Sequence, residues 1–169
     1  TEFLPLTTTA AVPMTMWGGT KTINFTKSGG NLCARCHQPR PITAASGAMI
    51  DYSKLVSEPT ATYNMSSISY RTGVHYGTHA AMASGVGGIE FGSGYTNSQH
   101  ATKASCASCH MATPSGLAGG HSFSPAGNYS GCNTTNCHSG MNASNTTLTA
   151  ARTYVTDKLK ELVDKINAL

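Results

Sequence analysis

Six cysteines and three of the seven histidines are locked into one repeated arrangement: "CARCH" at residues 33–37, "CASCH" at 106–110 and "CNTTNCH" at 132–138. No cysteine lies outside these stretches. The second cysteine of each is followed at once by a histidine: His37, His110 and His138. Cys-x-x-Cys-His is the attachment signature of c-type haem. Its spacing follows from the chemistry. Two thiols add to the two vinyl groups along one porphyrin edge, and the next residue brings an imidazole under the iron. The third stretch has four residues between its cysteines instead of two, and these are expected to loop out while both thiols still reach their vinyls. The chain is therefore expected to carry three haem c groups and their iron. Cys33 and Cys36, Cys106 and Cys109, and Cys132 and Cys137 would hold them, with His37, His110 and His138 as proximal ligands. Zinc sites use the same residue types but do not explain a histidine in the same place three times. Thioredoxin-like dithiols need a βαβ context that the sequence lacks. Disulfides between neighbouring cysteines ignore the histidines.

Covalent haems bear directly on the fold. A chain of 169 residues with 18 glycines and only 11% charged residues builds a modest core of its own. Cross-links or a bound apolar group must supply the rest. The expected fold class is mostly irregular coil with short α-helices organised around haems, little β, and an amphipathic C-terminal helix. Residues 1–30 form an N-terminal segment in which Ile23 and Phe25 alternate near a Gly-Gly turn, a weak hairpin signal. Trp17 and Phe25 either cover a haem edge or pack in a core. Residues 31–140 form the trihaem region. There Pro39 and Pro41 stop any helix begun at the first motif, and Pro114 does so after the second. Gly85, Gly87 and Gly88 end a short helix that starts near His75. Over 149–169, Val155, Leu159, Leu162, Val163, Ile166 and Leu169 fall on one stripe, and Glu161 and Lys165 make an i,i+4 pair. That helix packs on its own domain, meets another subunit, or leads into a further domain.

Outside the motifs lie His75, His79, His100 and His121. Each iron has a second axial position, so four histidines for three irons argue for bis-histidine ligation. His75, His100 and His121 are the expected distal ligands. On a helix His75 and His79 would share one face. Both cannot easily serve one iron, which leaves His79 in reserve. Met111 and Met141, beside the motifs, are alternatives that would raise a potential.

The stretches "NLCARCHQPRP", "GVHYGTHAAMASGVGGIEF", "YTNSQH", "CASCHMA" and "GGHSF" resemble the multihaem cytochromes c of metal-reducing and related prokaryotes, over roughly residues 31–140. The resemblance implies distal ligation by the histidines of "HYG", "NSQH" and "GGH", which are His75, His100 and His121. His79 and the wide third motif depart from the family pattern. It also implies an exported electron carrier, extracellular or periplasmic. Some members of the family polymerise into filaments of stacked haems, and others are larger cytochromes with further domains.

The expected function is electron transfer through three bis-histidine haems in extracellular or periplasmic respiration, with a haem-stacked filament as one form of it. Saturated irons leave no substrate site, so the chain is not expected to be an enzyme. The rival is a multihaem oxidoreductase with one open catalytic haem. Expected partners are redox proteins, extracellular electron acceptors and further copies of the chain. The formal charge of +4 includes no basic run, which leaves no nucleic-acid footprint, and the haem propionates would outweigh it. No apolar stretch approaches the ~18 residues of a membrane span. The first residues lack the basic and apolar regions of a signal peptide, so in an exported protein Thr1 follows the cleavage. N-x-S/T sequons at Asn24, Asn64, Asn128, Asn133, Asn142 and Asn145 are a weak extracellular pointer.

Overall fold

Ahead of residue 145, glycine, serine and asparagine punctuate the chain too often for long regular elements, and most of the described residues there run as loop and turn. The computed structural model describes residues 10–27, 29–52, 54–62, 76–138, 140 and 142–169. Among these, short helices and one two-stranded sheet are the regular structure. The expected coarse class, coil and helix with little strand, is what the chain adopts. It divides into two compact units, residues 1–106 and 107–169.

In the first unit, β1 (Val12–Pro13) pairs antiparallel with β2 (Thr22–Ile23), with Val12 opposite Ile23. A 3₁₀ turn at Thr15–Trp17 fills the connection, and Gly18 and Gly19, at φ 58 and 84°, reverse the chain where a side chain would be strained. The alternation seen in the sequence has its physical counterpart. Val12, Met14, Ile23 and Phe25 turn inward and meet Ala34 and Ala80 in one apolar cluster. Trp17 packs against that cluster and its Nε1 donates to the Gly87 carbonyl at 2.9 Å. Phe25 is a member of this cluster, and Trp17 lies partly buried at its edge.

Helix α1 (Gly30–Cys36) follows. Gly30 lies so close to Phe25 that a Cβ there would sit 2.6 Å from the Phe25 Cβ. Buried Asn31 joins helix to hairpin, accepting from the Phe25 amide at 2.7 Å and donating to Asn24 Oδ1 at 3.1 Å. The helix stops at Cys36, ahead of Pro39 and Pro41, as expected. A short α2 (Lys54–Ser57) precedes α3 (His79–Ser84), which ends on Gly85 in the left-handed region at φ 70°. The helix starts at His79, and Gly77 at φ 73° lies outside helical geometry. The expected helical face shared with His75 falls on a residue outside the described ones. Helix α4 (His100–Lys103) and α5 (Cys106–His110) complete this part of the chain, α5 crossing the boundary between units.

The second unit has little apolar interior. Its buried hydrophobic side chains, among the described residues, are Ala112 and Ala118. A polar group does the bracing: buried Asn128 donates through its amide to the Thr113 carbonyl at 2.8 Å and the Ala118 carbonyl at 3.4 Å. Asn128 is thus a structural asparagine and not an open glycan acceptor. Helix α6 (Asn145–Asn167) starts earlier than the sequence pattern indicates, because Ser144 caps it and Thr147 completes a reciprocal capping box. Glu161 pairs with Lys158 at 2.8 Å and Lys160 with Asp164 at 3.1 Å, in place of the expected Glu161–Lys165 pair. Residues three apart on a helix are as near as those four apart, and Lys158 reaches both Glu161 oxygens. The stripe of Val155, Leu159, Leu162, Val163 and Ile166 is exposed, so the helix does not bury it on its own unit. No helix among the described residues is long and apolar enough to cross a membrane.

Candidate haem-attachment sites

Each motif adopts a local geometry that returns its histidine to its first cysteine. In the first, Cys33 and Cys36 stand three apart on α1 and so share a face. The His37 amide donates to the Cys33 carbonyl at 2.9 Å. In the second, Cys106 and His110 are the two ends of α5, one i to i+4 step apart. The third has no helix. There the Cys137 amide donates to the Thr134 carbonyl at 3.0 Å, and the His138 amide donates to the Cys132 carbonyl at 3.1 Å. The first and third motifs are therefore closed by the same pair of groups, at i to i+4 in one and i to i+6 in the other. The longer loop is held from outside by Asn133, whose amide donates to the Ala143 carbonyl at 2.9 Å and whose Oδ1 accepts from the Ala143 amide at 2.6 Å. None of the six cysteines is joined in a disulfide. Among the described residues no three of His, Cys, Asp or Glu converge on a point that would grip a bare metal ion.

Two imidazoles are oriented by hydrogen bonds. His110 Nδ1 lies 2.8 Å from the Phe123 carbonyl oxygen. A carbonyl only accepts, so Nδ1 carries the proton and Nε2 keeps its lone pair for a metal. Phe123 holds that carbonyl from the left-handed region, φ 54°, directly after a 3₁₀ turn (Gly120–Ser122) that carries His121. The turn is fixed by the Gly120 amide on the Ala112 carbonyl at 2.9 Å, and by Gly119, where a Cβ would come within 2.7 Å of Asn128 Nδ2. His100, first residue of α4, has Nδ1 3.0 Å from Ser98 Oγ, which also accepts from the His100 amide at 3.2 Å. Ser98 is itself anchored, its amide donating to the Ser84 carbonyl at 2.9 Å. His79 faces His37, with ring centres 5.5 Å apart and planes at 88°.

The first two motifs also meet. Cys106 packs against the apolar cluster of the first unit, its thiol donates to the Gly30 carbonyl at 3.9 Å, and Cys33 lies close enough to act on it. Burial pushes the Cys106 thiol above its ordinary pKa, and the charge and hydrogen bond of Cys33 push it further the same way.

The donor set fits haem c: paired thiols beside imidazoles, one of which has its lone pair on Nε2. The second unit also presents exposed Met111, Leu117 and Phe123, while its buried hydrophobic side chains among the described residues are alanines, which leaves apolar surface for a flat apolar group to cover. The structure brings His37 to His79 and Cys33 to Cys106, and sets His121 two residues from the Phe123 carbonyl. His75 is not among the described residues. Sequence reading missed Ser98, Phe123 and Asn128. A serine two residues before His100 was a usable signal, whereas Phe123 acts through a backbone carbonyl that no residue type announces. Comparison with protein families, curated proteins and solved structures finds no match to this chain.

Proposed function

We propose that this protein is an electron carrier of the multihaem c-type cytochrome kind, with three haems attached at Cys33/Cys36, Cys106/Cys109 and Cys132/Cys137. His37, His110 and His138 are the proximal ligands, and histidines outside the motifs saturate the irons. The observation that carries the reading is the shared closure. The irregular third motif returns its histidine amide to its first cysteine as the regular first motif does. Haem, once bound, supplies one-electron chemistry. The chain supplies the rest. Its thiols fix the group without relying on affinity, the Phe123 carbonyl holds His110 with Nε2 outward, and Ser98 holds the ring of His100. The contact between Cys33 and Cys106 brings two attachment points together, which supports electron passage between the first two sites.

The protein works outside the cytoplasm, in the periplasm or at the cell surface, with redox proteins or extracellular acceptors as partners. The uncovered apolar stripe of α6 supports self-association, the contact that a filament subunit needs. Denaturing mass spectrometry of protein matured in a host that attaches c-type haem is the test. A chain heavier by three haems is expected. Unmodified Cys132 and Cys137 would remove the third site, and a high-spin ferric spectrum from the intact protein would favour the oxidoreductase with an open iron.

A further inference from the structure

We propose that α6 pairs with α6 of a second copy of this chain as a parallel, two-stranded coiled coil. The inference rests on the self-association named above and deepens it by naming the surface, the partner and the orientation. It does not depend on haem attachment.

The warrant is the spacing of the exposed apolar side chains. Along α6, Leu148, Arg152, Val155, Leu159, Leu162 and Ile166 follow one another at steps of four, three, four, three and four residues. Leu169 adds a further step of three just past the helix end. Alternating steps of three and four are the seam that two helices bury in each other, whereas a helix resting on a globular core carries a wider apolar face. In heptad terms Arg152, Leu159 and Ile166 are a positions, and Leu148, Val155, Leu162 and Leu169 are d positions. Among the large aliphatic side chains of α6 only Val163, at e, lies off the seam. The seam is open: its apolar members within the helix are 41 to 58% exposed.

Charge selects the orientation. Lys158 and Lys165 occupy g, and Thr149, Thr156 and Val163 occupy e. An antiparallel pair sets g against g, lysine against lysine. A parallel pair sets g against e. There the Lys158 stem can lie over Val163 of the second copy while its head stays on Glu161 of its own helix, at 2.8 Å. A single charged a residue, Arg152, fixes register and strand number at a cost in stability. The two seams together bury on the order of 1,000 Å², the low end for a specific interface, so a micromolar dimer is expected. Such a contact closes on a two-fold axis, and filament growth would need a second surface.

The test is sedimentation equilibrium of the full-length, haem-loaded protein across the micromolar range, with pyrene attached at the carboxyl terminus in a parallel sample. A monomer–dimer equilibrium is expected, with pyrene excimer emission from the dimer. Leu162→Glu is expected to weaken the dimer at least about tenfold by burying charge in the seam. Arg152→Leu is expected to tighten it several-fold, a gain that a merely misfolded variant cannot mimic. Asp157→Lys, on the far side of the helix, is expected to leave it unchanged. Assembly that Leu162→Glu leaves intact, or a dimer without excimer emission, overturns the parallel coil and spares self-association. A protein that stays monomeric throughout overturns both.

Discussion

Replacing Gly85 tests how a helix end positions a histidine elsewhere in the sequence. Gly85 closes α3 at φ 70°. An alanine there costs about 1–2 kcal/mol for the left-handed backbone alone. Its Cβ would also overlap the Ser98 amide nitrogen and come within 3.1 Å of the Asn97 carbonyl carbon. These are backbone atoms and cannot rotate away. Residues 97 and 98 must shift, at about 1–3 kcal/mol for overpacking, and the 2.9 Å bond from the Ser98 amide to the Ser84 carbonyl is lost, at about 1 kcal/mol. The expected destabilisation is about 3–6 kcal/mol, a large part of a domain's usual stability. Gly85→Asn separates the causes. Asparagine tolerates the left-handed region but carries the same Cβ, so it should recover about 1 kcal/mol at most. Urea unfolding of the haem-loaded protein, followed by far-ultraviolet circular dichroism, measures both. Because Ser98 holds the His100 ring, and His100 is a haem ligand on the electron-carrier reading, both variants should also weaken the low-spin spectrum of one haem. An asparagine variant as stable as the unaltered protein would show that the close approach to Ser98 does not exist. Full stability in the alanine variant would refute the backbone argument as well.

Two further outcomes follow from the cysteine environments. Cys106 has its pKa raised chiefly by burial, so its thiol form persists to higher pH. Alkylation of Cys106 in the haem-free chain, followed by peptide mass mapping, should lag behind a small thiol in solution and be sped only in part by Cys33→Ser; the stability this thiol contributes is present below the ordinary thiol pKa and lost as pH rises through the raised value. Asn133→Ala removes both hydrogen bonds to Ala143, at about 1–3 kcal/mol, and should lower haem occupancy at Cys132/Cys137 relative to the other two sites. Equal occupancy by mass spectrometry would show that the third loop holds its shape unaided.

What could be read from the sequence was local. The cysteine–histidine spacing, the helix stops before Pro39 and at Gly85, and the hairpin near Trp17 are each encoded within a few residues. Helix α6 was legible from its apolar spacing, but its start was not, because Thr147 stands where the usual capping signature has Glu or Gln. The contacts that arrange the sites are of another kind. The approach of Cys33 to Cys106 and of His37 to His79 depends on how loops pack across long stretches of chain. Phe123 is recognised only by where its carbonyl points, and Asn128 reads as a glycan acceptor until its burial is known. Periodicity is silent on all four.

On the electron-carrier reading, the uneven distribution of apolar interior sets an order of maturation. The first unit collapses on its own side chains, Val12, Met14, Ile23, Phe25, Ala34 and Ala80, and does so with Cys106 drawn against them. If haem is attached at the second motif as proposed, loading Cys106 would be a race against folding, easiest while the hairpin is still open. The second unit, with alanines for a core, has no such clock. On the same reading Cys132 and Cys137, with no such cluster beside them, would be loaded without that constraint, so the motif made last is the one that can wait.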